Sequence, residues 1–261
     1  MLTATGITVS YGRREVLHGV DFDATAGQVT AIVGPNGSGK TTLMRALTGE
    51  NVFDGVVFLN DQDVASAKPW QLAAVRGVLP QSTPLAFPFT VVEVVRLGLA
   101  SGLTAGRGHL IPAALDRVGL TGFEGRFYQE LSGGEQQRVQ LARVLVQVWE
   151  PVADGSPRWL FLDEPVSALD IGHQLQVMQI ARDFANAGGG VVAVMHDLNL
   201  TAMFADNVGL ISEGHMVAQG APEDVFTDQQ LSHAYGCKVR VNTAPASGTF
   251  LLPHAATMAA E

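Results

Sequence analysis

The sequence predicts an α/β fold with a mostly parallel sheet and helices on its faces. Three observations carry this. Short, unbroken apolar runs occur at Val29–Val33, Trp159–Leu162 and Val191–Met195, helical spacing lies between them, and a glycine-rich turn follows the first run directly. Apolar runs without polar alternation mark strands buried on both faces. Their alternation with helical patterns indicates parallel strands joined by helical crossovers.

In chain order, β-rich runs alternate with Gly turns from Leu2 to Ile32, and Thr42–Leu47 reads as a helix. Val56–Leu59 is a further strand and Pro69–Val75 a short helix. After Gln81 the texture changes. Pro84, Pro88 and Pro112 punctuate helically spaced stretches such as Val91, Val92, Val94, Val95 and Leu97, so residues 82–131 read as a mainly helical insert. A long helix over Gln136–Val148 comes next, then the strand Trp159–Leu162, a helix over Gly172–Ala187 and the strand Val191–Met195.

Composition narrows the function. The 261 residues are 47% hydrophobic, enough for a sizeable core, and only 16% charged, against about 25% in an average domain; part of the surface is expected to be covered by a partner. A formal net charge of −9 argues against a nucleic-acid partner. The single cysteine, Cys237, cannot close an internal disulfide, which favours a reducing compartment. The first residues lack the charged start and apolar block of a secretory signal, and no apolar run approaches the roughly 18 residues of a spanning helix.

Gly34-Pro35-Asn36-Gly37-Ser38-Gly39-Lys40-Thr41 fits G-x-x-x-x-G-K-[ST] between a strand and a helix, the context that motif requires. Glycines let backbone N–H groups converge on an anion, and the helix start adds about half a positive charge. Lys40 would reach the outer phosphates. Thr41 offers a hydroxyl to Mg²⁺, and Thr42 follows it into the helix. The strand Trp159–Leu162 ends in Asp163 and Glu164. At the carboxyl edge of a parallel sheet these lie beside the phosphate loop, Asp163 suited to hold Mg²⁺ and Glu164 to polarise the attacking water. Ser132, Gly133, Gly134 and Glu135 open a helix that Gln136, Gln137 and Arg138 continue, and Ser132 with the two glycines offers a second anion-binding start.

With that loop the chain resembles the ATP-binding subunits of ABC transporters over nearly its whole length. Ser132–Glu135 stands where the family has its signature loop, Gln81 where it has the Q-loop glutamine, and Ser167-Ala168-Leu169-Asp170 where it has the D-loop. His196 matches the switch histidine and Tyr11 the aromatic that stacks on adenine. Val166 departs from the usual Thr or Ser, which puts nothing catalytic in doubt. The resemblance implies a P-loop NTPase of the ABC ATPase type, with a mostly parallel core sheet, an N-terminal antiparallel β subdomain and a helical subdomain. It implies one nucleotide-binding domain over 1–261, its core at about 1–81 and 150–261 and its helical part at about 82–149. It further implies a head-to-tail homodimer in which each ATP lies between one chain's phosphate loop and the other's signature loop. Gln81 would sense the γ-phosphate and help hold Mg²⁺, His196 would contact the γ-phosphate and the attacking water, and Asp170 would link the two sites. The implied partner is an integral-membrane permease dimer, docked near Gln81 to Leu97, with a substrate-binding protein engaged only through it. The implied location is the cytoplasmic face of the inner membrane.

No spanning segment is fused, and the stretch after His196 is short for the regulatory domain of many sugar importers. The build resembles subunits serving iron-siderophore, cobalamin and haem importers. The long link Trp149–Arg158, with Val78-Leu79-Pro80-Gln81 and Phe89-Thr90-Val91, favours the haem subgroup; the alternative is a neutral loop insertion. The chain itself offers no haem ligand set: there are seven histidines but no C-x-x-C-H motif. His233 and Cys237 are spaced to share a helix face, and a structural or solvated pair is preferred over a metal site. The competing readings are a siderophore or cobalamin importer, a soluble ABC-type ATPase in repair or translation, a P-loop kinase or GTPase, and a cassette that binds without turnover. The single phosphate loop and acidic charge oppose the second, the signature loop and lack of N-K-x-D the third, and Glu164 with His196 the last.

Overall fold

The structure, a computed structural model, describes residues 1–81, 85, 87–99 and 106–255. The chain runs β1 (Leu2–Tyr11), β2 (Arg14–Ala24), β3 (Val29–Val33), α1 (Lys40–Leu47), β4 (Asp54–Leu59), β5 (Gln62–Asp63), α2 (Pro69–Val75), β6 (Arg76–Leu79), α3 (Val91–Leu97), α4 (Leu110–Arg117) and α5 (Gly133–Gln147). It continues through β7 (Val152–Ala153), β8 (Ser156–Pro157), β9 (Trp159–Asp163), α6 (Ile171–Asn186), β10 (Gly190–Val194), α7 (Leu198–Phe204), β11 (Asn207–Ser212), β12 (His215–Gly220), α8 (Pro222–Val225) and α9 (Asp228–Tyr235).

The central sheet has the order β12-β11-β3-β10-β9-β6. All its pairings are parallel except β11 with β12. Every residue of β3, β9 and β10 is buried, which is why these strands read as unbroken apolar runs. Their side chains alternate between two cores. Val29, Ala31, Val33, Leu160, Leu162, Val191 and Ala193 face one, with α5, α6 and α7. Ile32, Trp159, Phe161, Val192 and Val194 face the other, with α1 and the antiparallel sheet β2-β1-β4-β5. That second sheet is the antiparallel β subdomain expected at the N-terminus.

Several expectations change in detail. The long helix begins at Gly133 rather than Gln136, because Ser132 caps it: Glu135 N–H donates to Ser132 Oγ at 3.3 Å and Ser132 N–H to Glu135 Oε2 at 2.7 Å, a reciprocal capping box. The first helix likewise starts at Lys40 rather than Thr42. The described part of the insert is less helical than its texture suggests. It holds only α3, α4 and a 3-10 turn at Tyr128–Glu130 before α5, because Pro and Gly interrupt the pattern every few residues. Pro84 lies outside the described residues. The pairing of His233 with Cys237 on one helix face is also corrected: Gly236, at φ 64°, ends α9, and Cys237 lies beyond it, exposed. The link Trp149–Arg158 contains the hairpin β7–β8, turned by Asp154 (φ 52°) and Gly155 (φ 74°). It is tied to the β subdomain, since Asn60 Nδ2 donates to Pro157 O at 2.6 Å and Trp159 Nε1 to Asn60 Oδ1 at 3.0 Å. Among the described residues no helix is long and apolar enough to cross a membrane.

Candidate active site

The parallel strands β3, β9, β10 and β6 all end at one edge of the sheet, and each delivers a predicted site residue there. β3 leads into the phosphate loop, β9 ends in Asp163 before Glu164, β10 leads to His196 and β6 to Gln81. Sequence distance is erased by register: Asp163 lies opposite Val194 and Leu162 opposite Leu79.

The phosphate loop is held close to its surroundings. A Cβ on Gly34, which has φ 150°, would stand 2.0 Å from the Ile211 carbonyl oxygen, so only glycine fits. Gly214 N–H donates to Ser38 O at 3.0 Å, so the β11–β12 turn braces the loop from outside. Gly39 caps α1 without a side-chain bond, which leaves the first helical N–H groups for an anion. Lys40 Nζ donates to Gly34 O and Pro35 O, both at 2.9 Å. Burial lowers the Lys40 ammonium below the ordinary lysine range, while Glu164 and Asp163 pull it the other way. Outside the loop, a cavity of about 560 Å³ separates Pro35, Asn36, Gly37 and Ser38 from the end of α9.

Thr41 Oγ1 donates to Asp163 Oδ1 at 3.2 Å. Burial lifts the Asp163 carboxyl above the usual aspartate range, opposed by the Thr41 hydrogen bond. Glu164 occupies the left-handed region at φ 52°, a strain of the kind active sites retain. Its Oε1 lies 2.6 Å from His196 Nε2. Its carbonyl accepts from Gln137 Nε2 at 2.8 Å and from Ser167 Oγ at 3.2 Å.

Thus Lys40, Thr41, Thr42, Asp163, Glu164 and His196 gather at one edge. Gln81 is exposed at the end of β6, on a cleft it shares with Gly133, Gln137 and Ser167. Tyr11 ends β1 half-exposed, its hydroxyl accepting from Asn51 Nδ2 at 2.7 Å. The signature residues are engaged elsewhere than on their own phosphate loop. Gly134 packs against Ala168 and Leu169, where a Cβ would come within 3.1 Å of both. Glu135 is held below the usual glutamate range by the Ser132 hydrogen bonds. Asp170 caps α6, accepting from His173 N–H at 3.0 Å, which lowers its carboxyl in turn. Two supports escaped the sequence reading. Gln137 was visible only as a helix residue, and the bracing turn at Glu213-Gly214 carried the sole signal of an acidic residue before Gly.

A strand-borne phosphate loop facing a paired Asp and Glu at the carboxyl edge of a parallel sheet defines a P-loop nucleoside triphosphatase. The sequence model described as "ABC transporter" matches residues 17–167, and the chain belongs to that family: it is an ATP-binding cassette that hydrolyses ATP. It is 65% identical, over 98% of its length and 95% of the relative's, to the hemin import ATP-binding protein HmuV of Jannaschia sp. (strain CCS1). It is 58% identical to the protein of the same name from Rhizobium meliloti (strain 1021), over 99% and 100% of the two chains. A solved ATP-binding subunit of an ABC transporter shares the fold at TM-score 0.76 and 22% identity, over 91% and 94% of the chains. A dimeric structure of a bacterial ABC transporter cassette matches at TM-score 0.74 and 26% identity, over 85% and 99%.

Proposed function

We propose that the chain is the energy-coupling subunit of a bacterial importer of haem. It works as a homodimer on the cytoplasmic face of the inner membrane, beneath an integral-membrane permease dimer that alone meets the substrate-binding protein. The observation that carries the substrate is the end-to-end similarity to hemin import ATP-binding proteins, 65% and 58% identical. The whole chain is one nucleotide-binding domain, residues 1–81 and 150–261 its core and 82–149 its helical part, the latter reaching the permease near Gln81 to Leu97.

In this reading each ATP lies between two copies. Gly34 to Thr42 of one chain wraps its phosphates, and Tyr11 stacks on the adenine. Ser132, Gly133, Gly134 and Glu135 of the other chain close over the γ-phosphate, and Asp170 joins the two sites. The packing of Gly134 against Ala168 and Leu169, with Gly133 left open beside it, supports this arrangement.

Lys40 exchanges two backbone carbonyls for the outer phosphates, a stronger charge-assisted contact. Thr41 hydroxyl and Asp163 carboxylate, 3.2 Å apart, are hard oxygen donors of the type Mg²⁺ takes, with Gln81 as a third. The cation would supply charge neutralisation across the outer phosphates. Glu164 accepts the proton of the attacking water, and His196 fixes the carboxylate through the 2.6 Å contact while facing the γ-phosphate. Hydrolysis removes the charge that holds the copies together, and the opening drives the permease between two states.

The test is reconstitution in liposomes with its permease and binding protein. Haem is expected to stimulate ATP hydrolysis and to accumulate. Stimulation by cobalamin or a ferric siderophore instead would reject the substrate and retain the importer.

A further inference from the structure

We propose that Gln137 is a positioning residue for the hydrolytic carboxylate, tying Glu164 to the helix that carries the signature loop. The inference rests on the reading of Glu164 as base.

Glu164 holds a left-handed backbone, φ 52°, that a non-glycine residue keeps only when its surroundings fix it. Its N–H donates to Val194 O at 3.2 Å, anchoring it to β10. The next residue is Pro165, so the peptide after Glu164 has no N–H, and its carbonyl oxygen is its only polar atom. Two residues donate to that oxygen, Ser167 through its Oγ at 3.2 Å and its N–H at 3.4 Å, and Gln137 through Nε2 at 2.8 Å, the shortest of the three contacts. The carbonyl can only accept, so the Gln137 amide must present its nitrogen there.

The two donors differ in origin. Ser167 belongs to the same turn and moves with Glu164. Gln137 comes from α5, whose cap is Ser132 and whose first residue is Gly133. Ser132 and Gln137 sit on one rigid rod, five residues or about 7.5 Å apart along its axis. A displacement of the helix start therefore reaches the Glu164 peptide through a single hydrogen bond. In the two-copy arrangement the nucleotide gripped by Ser132 is not the one attacked under Glu164 of the same chain, so the bond connects two different sites.

Packing alone does not account for this residue. Gln137 Oε1 is buried without a hydrogen-bond partner among the described residues, a cost that an apolar side chain of similar length would avoid. Gln137 also lines the cleft that holds Gln81 and Ser167, where the sheet edge and the helical part meet.

The experiment compares Gln137→Glu, Gln137→Met and Ser167→Ala with wild type and with Glu164→Gln, all as the full chain in its permease complex. Gln137→Glu keeps the shape and loses the donor; Gln137→Met keeps the length without polarity. Both are expected to lower kcat about 10- to 100-fold, as a small misplacement of a reacting group does. KM, ATP affinity and melting temperature are expected to stay as in wild type, and Ser167→Ala to have a smaller effect. A wild-type kcat in Gln137→Glu and Gln137→Met overturns the inference. So does a loss that follows a lower melting temperature or weaker ATP binding. If Glu164→Gln itself turns over normally, the reading of Glu164 as base has failed. If Glu164→Gln is inactive and the Gln137 variants are not, only the positioning role has failed.

Discussion

Nε2 of His196 and Oε1 of Glu164 stand 2.6 Å apart, although 32 residues separate them in sequence. The contact exists because β9 and β10 are parallel neighbours in register, Asp163 opposite Val194, so both chain segments turn off the sheet at the same height. Replacing Glu164 by Gln keeps a group that can bond His196 and removes the proton acceptor. ATP is expected to bind normally and hydrolysis to fall about 10²- to 10⁴-fold, the usual contribution of a general base. Gel filtration with ATP and Mg²⁺ should show a persistent dimer; a variant that turns over at the wild-type rate rejects Glu164 as base.

Asp163 gives a prediction about stability. Its carboxyl titrates above the ordinary aspartate range because it is buried. Below that range it is protonated in both folded and unfolded chains and costs nothing. As pH rises through the raised value, the folded state must hold a charge that the unfolded state carries more easily, so stability is lost and stays lost at neutral pH. Asp163→Asn is therefore expected to raise the melting temperature of the nucleotide-free protein at pH 7 by about 2–4 °C, corresponding to ~1 kcal/mol. The gain should vanish at acidic pH, and hydrolysis should be abolished. Scanning calorimetry at two pH values checks the sign; a lower melting temperature at pH 7 contradicts it.

Lys40 shares its ammonium between the carbonyls of Gly34 and Pro35. Lys40→Ala should weaken ATP binding roughly 10- to 150-fold, the worth of a hydrogen bond to a charged group at about 1.5–3 kcal/mol. Equilibrium titration measures it, and unchanged affinity would count against the phosphate-loop assignment.

Two glycines separate fold from assembly. Gly34→Ala puts a Cβ 2.0 Å from the Ile211 carbonyl oxygen and is expected to destabilise the chain by about 1–3 kcal/mol in urea denaturation. Gly133→Ala meets nothing within 4 Å among the described residues of the single chain, so stability should stay within about 0.5 kcal/mol of wild type. Its effect should appear only when ATP brings two copies together, as a loss of nucleotide-dependent dimer in the Glu164→Gln background. An unaltered dimer would show that Gly133 is remote from the nucleotide.

The chemistry was legible where the sequence was locally consistent. Val29–Val33 stops at a glycine turn, and Trp159–Leu162 stops at two acids; each announces a buried strand with its functional end. Tertiary supports were not legible. β6 follows α2 without an intervening loop, so Arg76–Leu79 gave no boundary to read. β11 and β12 were hidden because neither alternates cleanly, β11 being buried over Val208–Ile211 and β12 half-exposed. The link Trp149–Arg158 was legible as a long connection but not as a hairpin, since β7 and β8 are two residues each. Gln137 could not be singled out, because its partner is a backbone carbonyl 27 residues away and a carbonyl leaves no trace in composition.

The sole cysteine lies exposed just past α9, next to Gly236 on the rim of the cavity behind the phosphate loop. The wild-type polypeptide thus comes with a single addressable thiol. A maleimide dye can therefore be attached beside that cavity with no engineered residue anywhere in the chain.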